Sequence, residues 1–179
     1  MKKIISVLLI LTMVLSLAAC GNGGGGSSKG GEEVGLWGYE TIEIDVAKYN
    51  EGLDAEMQLS EDEAAEFKSF YDMFLAGMYF EFKDDGTGIL GYVSEDDTEL
   101  VPTEFTYAGG KFTFPEEEDP GFPSYEVKDG KLVLPLEDED VQGLTLYFKK
   151  AESLDEIKSN MDEIMASLED LFSTMDDEE

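Results

Sequence analysis

The sequence FTYAGGKFTF, residues 105–114, alternates aromatic and polar side chains on either side of two glycines. Glycine adopts positive φ at no steric cost, so the pair predicts a two-residue hairpin loop. Placing the loop there pairs Tyr107 with Phe112 and Phe105 with Phe114. Four aromatic side chains on one face of a hairpin indicate a β-structure with a strongly apolar inner side.

A second hairpin follows the same pattern at residues 125–134, YEVKDGKLVL. A two-residue loop at its Asp-Gly dipeptide pairs Val127 with Leu132 and Tyr125 with Leu134, again on one face. This hairpin is therefore predicted to extend the same apolar layer.

A further hairpin, at residues 80–92, has a less regular pattern. A two-residue loop at its Asp-Gly dipeptide pairs Phe82 with Ile89 but leaves the next apolar residues on the opposite face. A bulge near Gly88 or Gly91 would restore them to the apolar face, because it inserts one extra residue into a strand.

Two more strands flank the hairpins, at residues 36–44 and 144–149. In the first, simple alternation places Trp37, Tyr39 and Thr41 on one face. The count reaches eight strands, and the links between the hairpins and before the last strand are too short for helical crossovers. The sequence therefore predicts a mainly β fold: an antiparallel meander that forms a small barrel or half-barrel.

Two helices are predicted around this meander. Ser60 followed by Glu63 forms a capping-box pattern, and apolar residues at helical spacing continue it to about residue 77, so we expect an inserted helix at about 60–77. A second amphipathic helix is expected at about 153–175. Its apolar stripe runs to Met175 and contains the candidate partner-binding residues Leu154, Ile157, Met161, Ile164, Leu168 and Leu171. The stripe fits either packing onto the β-domain or docking onto a partner protein.

The N-terminus has the three parts of an export signal: Lys2 and Lys3, an apolar run over residues 4–17, and small residues before Cys20. The apolar run is shorter than the roughly 20 residues that a membrane-spanning helix needs. We expect residues 1–19 to be a cleaved signal peptide and residues 20–34 to be a flexible tether rich in glycine and serine.

The residues Leu17-Ala18-Ala19-Cys20 resemble the lipobox of bacterial lipoproteins. The resemblance implies that Cys20 becomes the first mature residue and carries acyl chains. Two or more acyl chains give stable membrane attachment, whereas one is only marginal. The expected location is therefore extracytoplasmic, with the protein anchored by lipid to a bacterial cell membrane.

A second resemblance rests on Gly35-Leu36-Trp37 before the first strand and on the final strand at residues 144–149. These features are similar to the lipocalin-like domains of small bacterial lipoproteins, and the similarity covers residues 35–150. It implies a β-barrel or half-barrel that encloses an apolar ligand. Residues 151–179 would then form an acidic C-terminal helix and tail.

Composition restricts the chemistry available to the chain. There are 42 acidic residues against 12 lysines, which gives a formal net charge of −30, with no histidine and a single cysteine. Nucleic acid would be repelled by such a surface. Triads of Ser-His-Asp or Cys-His type are excluded for want of histidine. We expect no cofactor and no enzyme activity, and a hydrolase based on paired carboxylates remains only a third choice.

Two sets of candidate ligand-binding residues follow. A set of aromatic residues either lines a pocket for an apolar ligand or fills the core: Trp37, Tyr39, Phe82, Phe105, Tyr107, Phe112 and Phe114. No EF-hand is present, but weak Ca²⁺ binding is conceivable at a run of four acids, Glu116, Glu117, Glu118 and Asp119. The alternative for this run is a solvated turn.

Together these patterns predict a monomeric, membrane-anchored lipoprotein that works as a non-enzymatic binding or interaction module. A small apolar ligand or a cationic protein are the expected partners. The alternative is a structural or accessory envelope lipoprotein that docks a protein partner through its acidic C-terminal helix.

Overall fold

A computed structural model describes residues 31–51, 53–94, 102–115, 122, 124–136 and 142–175, with side chains described as far as residue 168. The predicted signal peptide, the lipobox and the candidate Ca²⁺ loop at residues 116–119 lie outside the described residues. The signal peptide, the lipobox and the Ca²⁺ loop therefore stay predictions from the sequence.

The described chain forms eight strands and three helices, which confirms the mainly β prediction. The strands are β1 (Gly35–Ile44), β2 (Met78–Phe82), β3 (Thr87–Tyr92), β4 (Thr103–Ala108), β5 (Lys111–Thr113), β6 (Glu126–Lys128), β7 (Lys131–Leu136) and β8 (Leu144–Ala151). The helices are α1 (Val46–Tyr49), α2 (Glu61–Leu75) and α3 (Leu154–Met175).

All eight strands belong to one antiparallel sheet in the order β5-β4-β3-β2-β1-β8-β7-β6. The first and last strands of the meander are neighbours, because β1 pairs with both β2 and β8. The sheet curls into a half-barrel, so that Phe112 on β5 packs against Tyr125 beside β6, with ring centroids 4.7 Å apart. The two short strands β5 and β6 form the edges. Near them, the Tyr125 amide donates to the Gly110 carbonyl at 2.8 Å.

The first strand contains a β-bulge that the sequence pattern did not predict. Its register with β8 shifts between Tyr39 and Thr41, so Glu40 is the extra residue. Ile42 pairs with Leu146 beyond the shift and is fully buried, on the same face as Trp37 and Tyr39. The prediction that Thr41 shares that face was wrong, because one inserted residue reverses the alternation after it.

Two of the three hairpins have the predicted register. Tyr107 pairs with Phe112 in the hairpin of β4 and β5, and Val127 pairs with Leu132 in the hairpin of β6 and β7. Both loops contain two residues with positive φ, which matches the turn type that closes such hairpins.

The hairpin of β2 and β3 differs from its prediction. Phe82 pairs with Gly88, not with Ile89, because the turn has three residues and ends at Gly86 with φ 84°. The longer turn, without the expected bulge, places Leu90 and Tyr92 on the inner face with Phe80 and puts Ile89 on the opposite face. A Cβ on Gly88 would lie 2.2 Å from the Phe105 ring, so this site accepts only glycine.

Helix α2 begins with the predicted capping box, in which Ser60 Oγ accepts from the Glu63 amide and Glu63 accepts from the Ser60 amide. The helix ends at Leu75, before the predicted residue 77. Tyr71 and Leu75 are buried in the core, whereas Phe74 is 41% exposed. The buried side chains of Tyr71 and Leu75 therefore fix the helix to the half-barrel.

Helix α3 packs on the outer face of β1 and β8, opposite Trp37 and Tyr39. The glycine at position 38 permits this, because a Cβ there would lie only 2.8 Å from Ile157 Cγ1. Asn160 Nδ2 donates to the Tyr39 carbonyl at 2.9 Å, and Asn160 Oδ1 accepts from Lys149 Nζ at 2.7 Å. The helix is therefore part of the described domain.

Candidate functional site

The aromatic residues predicted to line a pocket lie in the core of the half-barrel. Trp37, Tyr39, Phe82, Phe105, Tyr107 and Phe114 are buried, and Phe112 is half-buried and packs against them. The rings touch one another across the sheet, with centroids 4.9 Å apart for Phe82 and Tyr107 and 5.2 Å apart for Phe105 and Phe112. Their packing makes them the core of the domain, and a ligand-lining role for them stays a prediction.

Two further aromatic side chains complete this core beside the sheet edges. The Tyr125 ring lies 4.7 Å from the Phe112 ring, and the Phe122 ring lies 5.8 Å from the Phe80 ring. The side where β5 and β6 do not pair is therefore occupied by aromatic rings from the chain that links them.

A groove of about 510 Å³ lies apart from these aromatic rings, where β1, β7 and β8 meet helices α1 and α2. It is lined by Ile42, Glu43, Ile44, Asp45, Lys48, Lys68, Pro135, Gly143, Leu144 and Thr145. Its volume is within the range of small-molecule sites in proteins. No pattern in the sequence had marked these residues as a group.

Local structure at the end of β1 builds one side of the groove. Asp45 caps helix α1 by accepting from the Lys48 amide at 3.1 Å, and the Asp45 amide donates to the Gly143 carbonyl at 2.8 Å. A Cβ on Gly143 would lie 2.7 Å from the Tyr49 amide nitrogen. Glycine at this position therefore lets α1 approach the start of β8.

Helix α2 contributes a fixed ammonium group on the other side of the groove. Lys68 Nζ donates to Thr41 Oγ1 at 2.7 Å and also to the Asp72 carboxylate. Asp72 in turn accepts from the Tyr39 hydroxyl at 2.7 Å. The β-bulge makes this network available, because it turns Thr41 away from the core and toward Lys68.

The Tyr39 hydroxyl, at the buried end of this network, has a raised pKa. Burial, and then the hydrogen bond to the Asp72 carboxylate, raise the pKa of Tyr39 well above 10.0. A phenolate there would be poorly solvated and would face a negative charge. The neutral hydroxyl is therefore the form that holds Asp72 in place.

This shift predicts an alkaline loss of stability that Tyr39→Phe should reduce. Above pH 10 the unfolded state releases the tyrosine proton while the folded state keeps it. The free energy of unfolding then falls by up to about 1.4 kcal/mol per pH unit for each such group. We expect Tyr39→Phe to cost less stability at about pH 11 than at about pH 8 in urea titrations. An equal cost at both pH values would contradict the assignment.

The two carboxylates of the groove are already hydrogen-bonded. Glu43 Oε2 accepts from the Tyr147 hydroxyl at 2.8 Å, and Asp45 accepts from the amide of Lys48. The side chains of Lys48 and Lys68 supply two positive charges to the same groove. These four lining side chains balance in formal charge, and the Asp72 carboxylate that pairs with Lys68 adds one negative charge beside the groove.

The residues predicted to bind a partner are distributed unequally along α3. Ile157, Met161 and Leu168 are buried against the domain, and Ile164 packs against the core. Leu154 is 46% exposed, and the side chain of Leu171 lies outside the described part. Most of the described apolar stripe is thus used inside the domain.

The described residues contain neither a membrane-spanning helix nor a cluster of metal ligands. None of the helices described here is both long enough and apolar enough to cross a membrane. Within the same residues, no group of three or more potential metal ligands comes together.

The chain shows little similarity to known proteins. No family model matches the chain, and no curated protein matches it. Among solved structures it is similar to a DUF4847 family protein from Bacteroides vulgatus ATCC 8482, with a TM-score of 0.38 and 15% sequence identity, over 66% of this chain and 94% of that one. A likeness this distant carries no argument about function.

Proposed function

We propose that this protein is a lipid-anchored, extracytoplasmic binding module without catalytic activity. Its half-barrel would be held near a bacterial membrane by acylated Cys20 and the glycine-rich tether, and it would take a small ligand at the groove beside α1. The proposal has two parts, anchoring and binding, which rest on different observations.

The anchoring part rests on the sequence. The lipobox-like residues Leu17-Ala18-Ala19-Cys20 follow a short apolar run and precede a run of glycines. A flexible chain of some dozen residues spans roughly 20 Å, by the estimate of about 5 to 6 Å times the square root of the residue number. Such a tether would keep the folded domain clear of the lipid head groups.

The binding part rests on the contrast between a filled interior and an open groove. Aromatic rings occupy the described interior, so the half-barrel provides the scaffold, and the groove provides concave surface with both apolar and charged groups. Sites for small molecules combine these features, since the apolar lining supplies affinity and a few polar groups supply orientation.

Lipid attachment gives a direct test of the anchoring part. When cells are grown with an alkyne-tagged fatty acid, we expect the wild-type protein to become labelled, because acylation modifies the Cys20 thiol. The Cys20→Ser variant should remain unlabelled. Cys20 is the only cysteine, so no other thiol can carry the label. Equal labelling of both proteins, or release of the unlabelled wild type into the medium, would contradict the proposal.

Docking of a cationic protein on α3 is the second candidate function. Up to residue 168, the helix exposes four acidic side chains away from the sheet, Asp155, Glu156, Asp162 and Glu163. A basic partner would be attracted to this surface, more strongly at low ionic strength. The apolar stripe is already in use, so docking would rely on the acidic face.

A further inference from the structure

The groove contains a hydrogen-bond donor that is fixed in position and has unused capacity. A lysine ammonium has three N–H donors. Within the described residues, two of them reach Thr41 and Asp72, while the Lys68 side chain stays 40% exposed and lines the groove. The third N–H is therefore available to an acceptor in the groove. A donor that is already fixed loses little conformational entropy when a ligand binds.

The remaining lining favours a ligand with an apolar body. Ile44 and Pro135, which are half-buried, contribute aliphatic surface. Ile42 and Leu144 line the groove from within the buried core cluster, so this surface is rigidly supported. A short alkyl chain placed on it would gain about 25 cal/mol for each Å² removed from water.

The carboxylates of the groove limit the charge that a ligand can carry. Glu43 and Asp45 would repel a dianion, and both already accept hydrogen bonds from the protein. A single negative charge at Lys68 Nζ meets less repulsion than two would, although the ammonium there also pairs with Asp72. Ammonium-to-carboxylate hydrogen bonds are also about twice as strong as neutral ones.

We infer that the groove binds a small monocarboxylate with a short apolar body, whose carboxylate accepts a hydrogen bond from Lys68 Nζ. This inference rests on the proposed binding role and adds the chemical class of the ligand. It also gives Lys68 a binding role and Asp72 and Thr41 a positioning role.

Three probes of equal length test the ligand class. Hexanoate, hexanamide and hexylamine would each be titrated into the full chain, and binding would be followed by NMR. The chain would carry Cys20→Ser, so that its own acyl chains cannot occupy the groove. We expect hexanoate to bind more tightly than hexanamide. Lys68→Met and Lys68→Gln should each weaken hexanoate by about tenfold, which is the loss expected for one charge-assisted hydrogen bond, and weaken hexanamide less, because its neutral carbonyl is a weaker acceptor.

Two further variants locate the binding. Thr145→Trp places a large ring in the groove without changing a charge, and it should abolish binding of hexanoate. Lys128→Met removes an exposed ammonium on β6, outside the groove lining, and should have no effect. The unfolding midpoint of each variant, followed by circular dichroism, checks that each variant is folded.

The outcomes separate the inference from the proposed function. Preferential binding of hexylamine that Thr145→Trp abolishes would overturn the monocarboxylate and leave the groove as a binding site. Hexanoate binding that Thr145→Trp does not change would overturn both the inference and the groove. Absence of hexanoate binding, or equal loss in Lys68→Met and Lys128→Met, would overturn the inference.

Discussion

Replacing Phe80 by alanine should lower the free energy of unfolding by about 3–5 kcal/mol, the usual cost of removing a buried aromatic ring. Phe80 is fully buried at the centre of the aromatic core. Its ring lies 5.1 Å from the Phe148 ring and 5.3 Å from the Phe112 ring, centroid to centroid. The substitution therefore leaves a cavity between the two halves of the curled sheet.

Urea titration followed by Trp37 fluorescence measures this loss, because Trp37 is the single tryptophan and is only 1% exposed. The matched control is Phe74→Ala on α2, whose ring is 41% exposed and whose loss should cost less than about 1 kcal/mol. If Phe80→Ala does not fold, Phe80→Leu should give a smaller loss in the same direction. Equal effects at positions 80 and 74 would contradict the assignment of the core.

The second large effect should come from Ile157→Ala on α3, with a loss of about 2–4 kcal/mol in the free energy of unfolding. Ile157 is 2% exposed and contacts the backbone of β1 at Gly38. Leu154 lies on the same helix but is 46% exposed, so Leu154→Ala should cost about 0.5 kcal/mol or less. Urea titration of both variants gives the comparison.

This comparison also decides between the two uses of the C-terminal helix. A large loss for Ile157→Ala alone means that the stripe belongs to the folding unit, as the packing indicates. An unchanged unfolding midpoint for Ile157→Ala would mean that α3 detaches readily, and the stripe would then be free to dock on a partner protein. The slope of the urea transition should stay constant, because the surface exposed on unfolding changes little.

Strand pairing could be predicted wherever a local signal fixed it. Gly109-Gly110 and Asp129-Gly130 each specify a two-residue loop, and a loop of known length fixes the register of both strands. The capping box at Ser60 and Glu63 similarly marked the start of α2 to the residue. These signals involve residues within a few positions of one another, so a single sequence contains them.

Features that depend on contacts between distant segments were not predictable in this way. The bulge at Glu40 has no local signature, because it is defined by the pairing of β1 with β8, which lies about a hundred residues away. The three-residue turn before Gly88 was missed because an Asp-Gly dipeptide is compatible with more than one loop length. Each error moved a whole set of side chains to the wrong face.

The sequence by itself determined the antiparallel meander, the position of both long helices and the absence of histidine chemistry, because these follow from local periodicity and composition. Tertiary structure alone decided that α3 lies against Gly38, and that Lys68 meets Thr41 and Asp72 at a groove. Those contacts arise when strands and helices far apart in the chain pack together, and the free energy that fixes them comes from burial and hydrogen bonding across the fold.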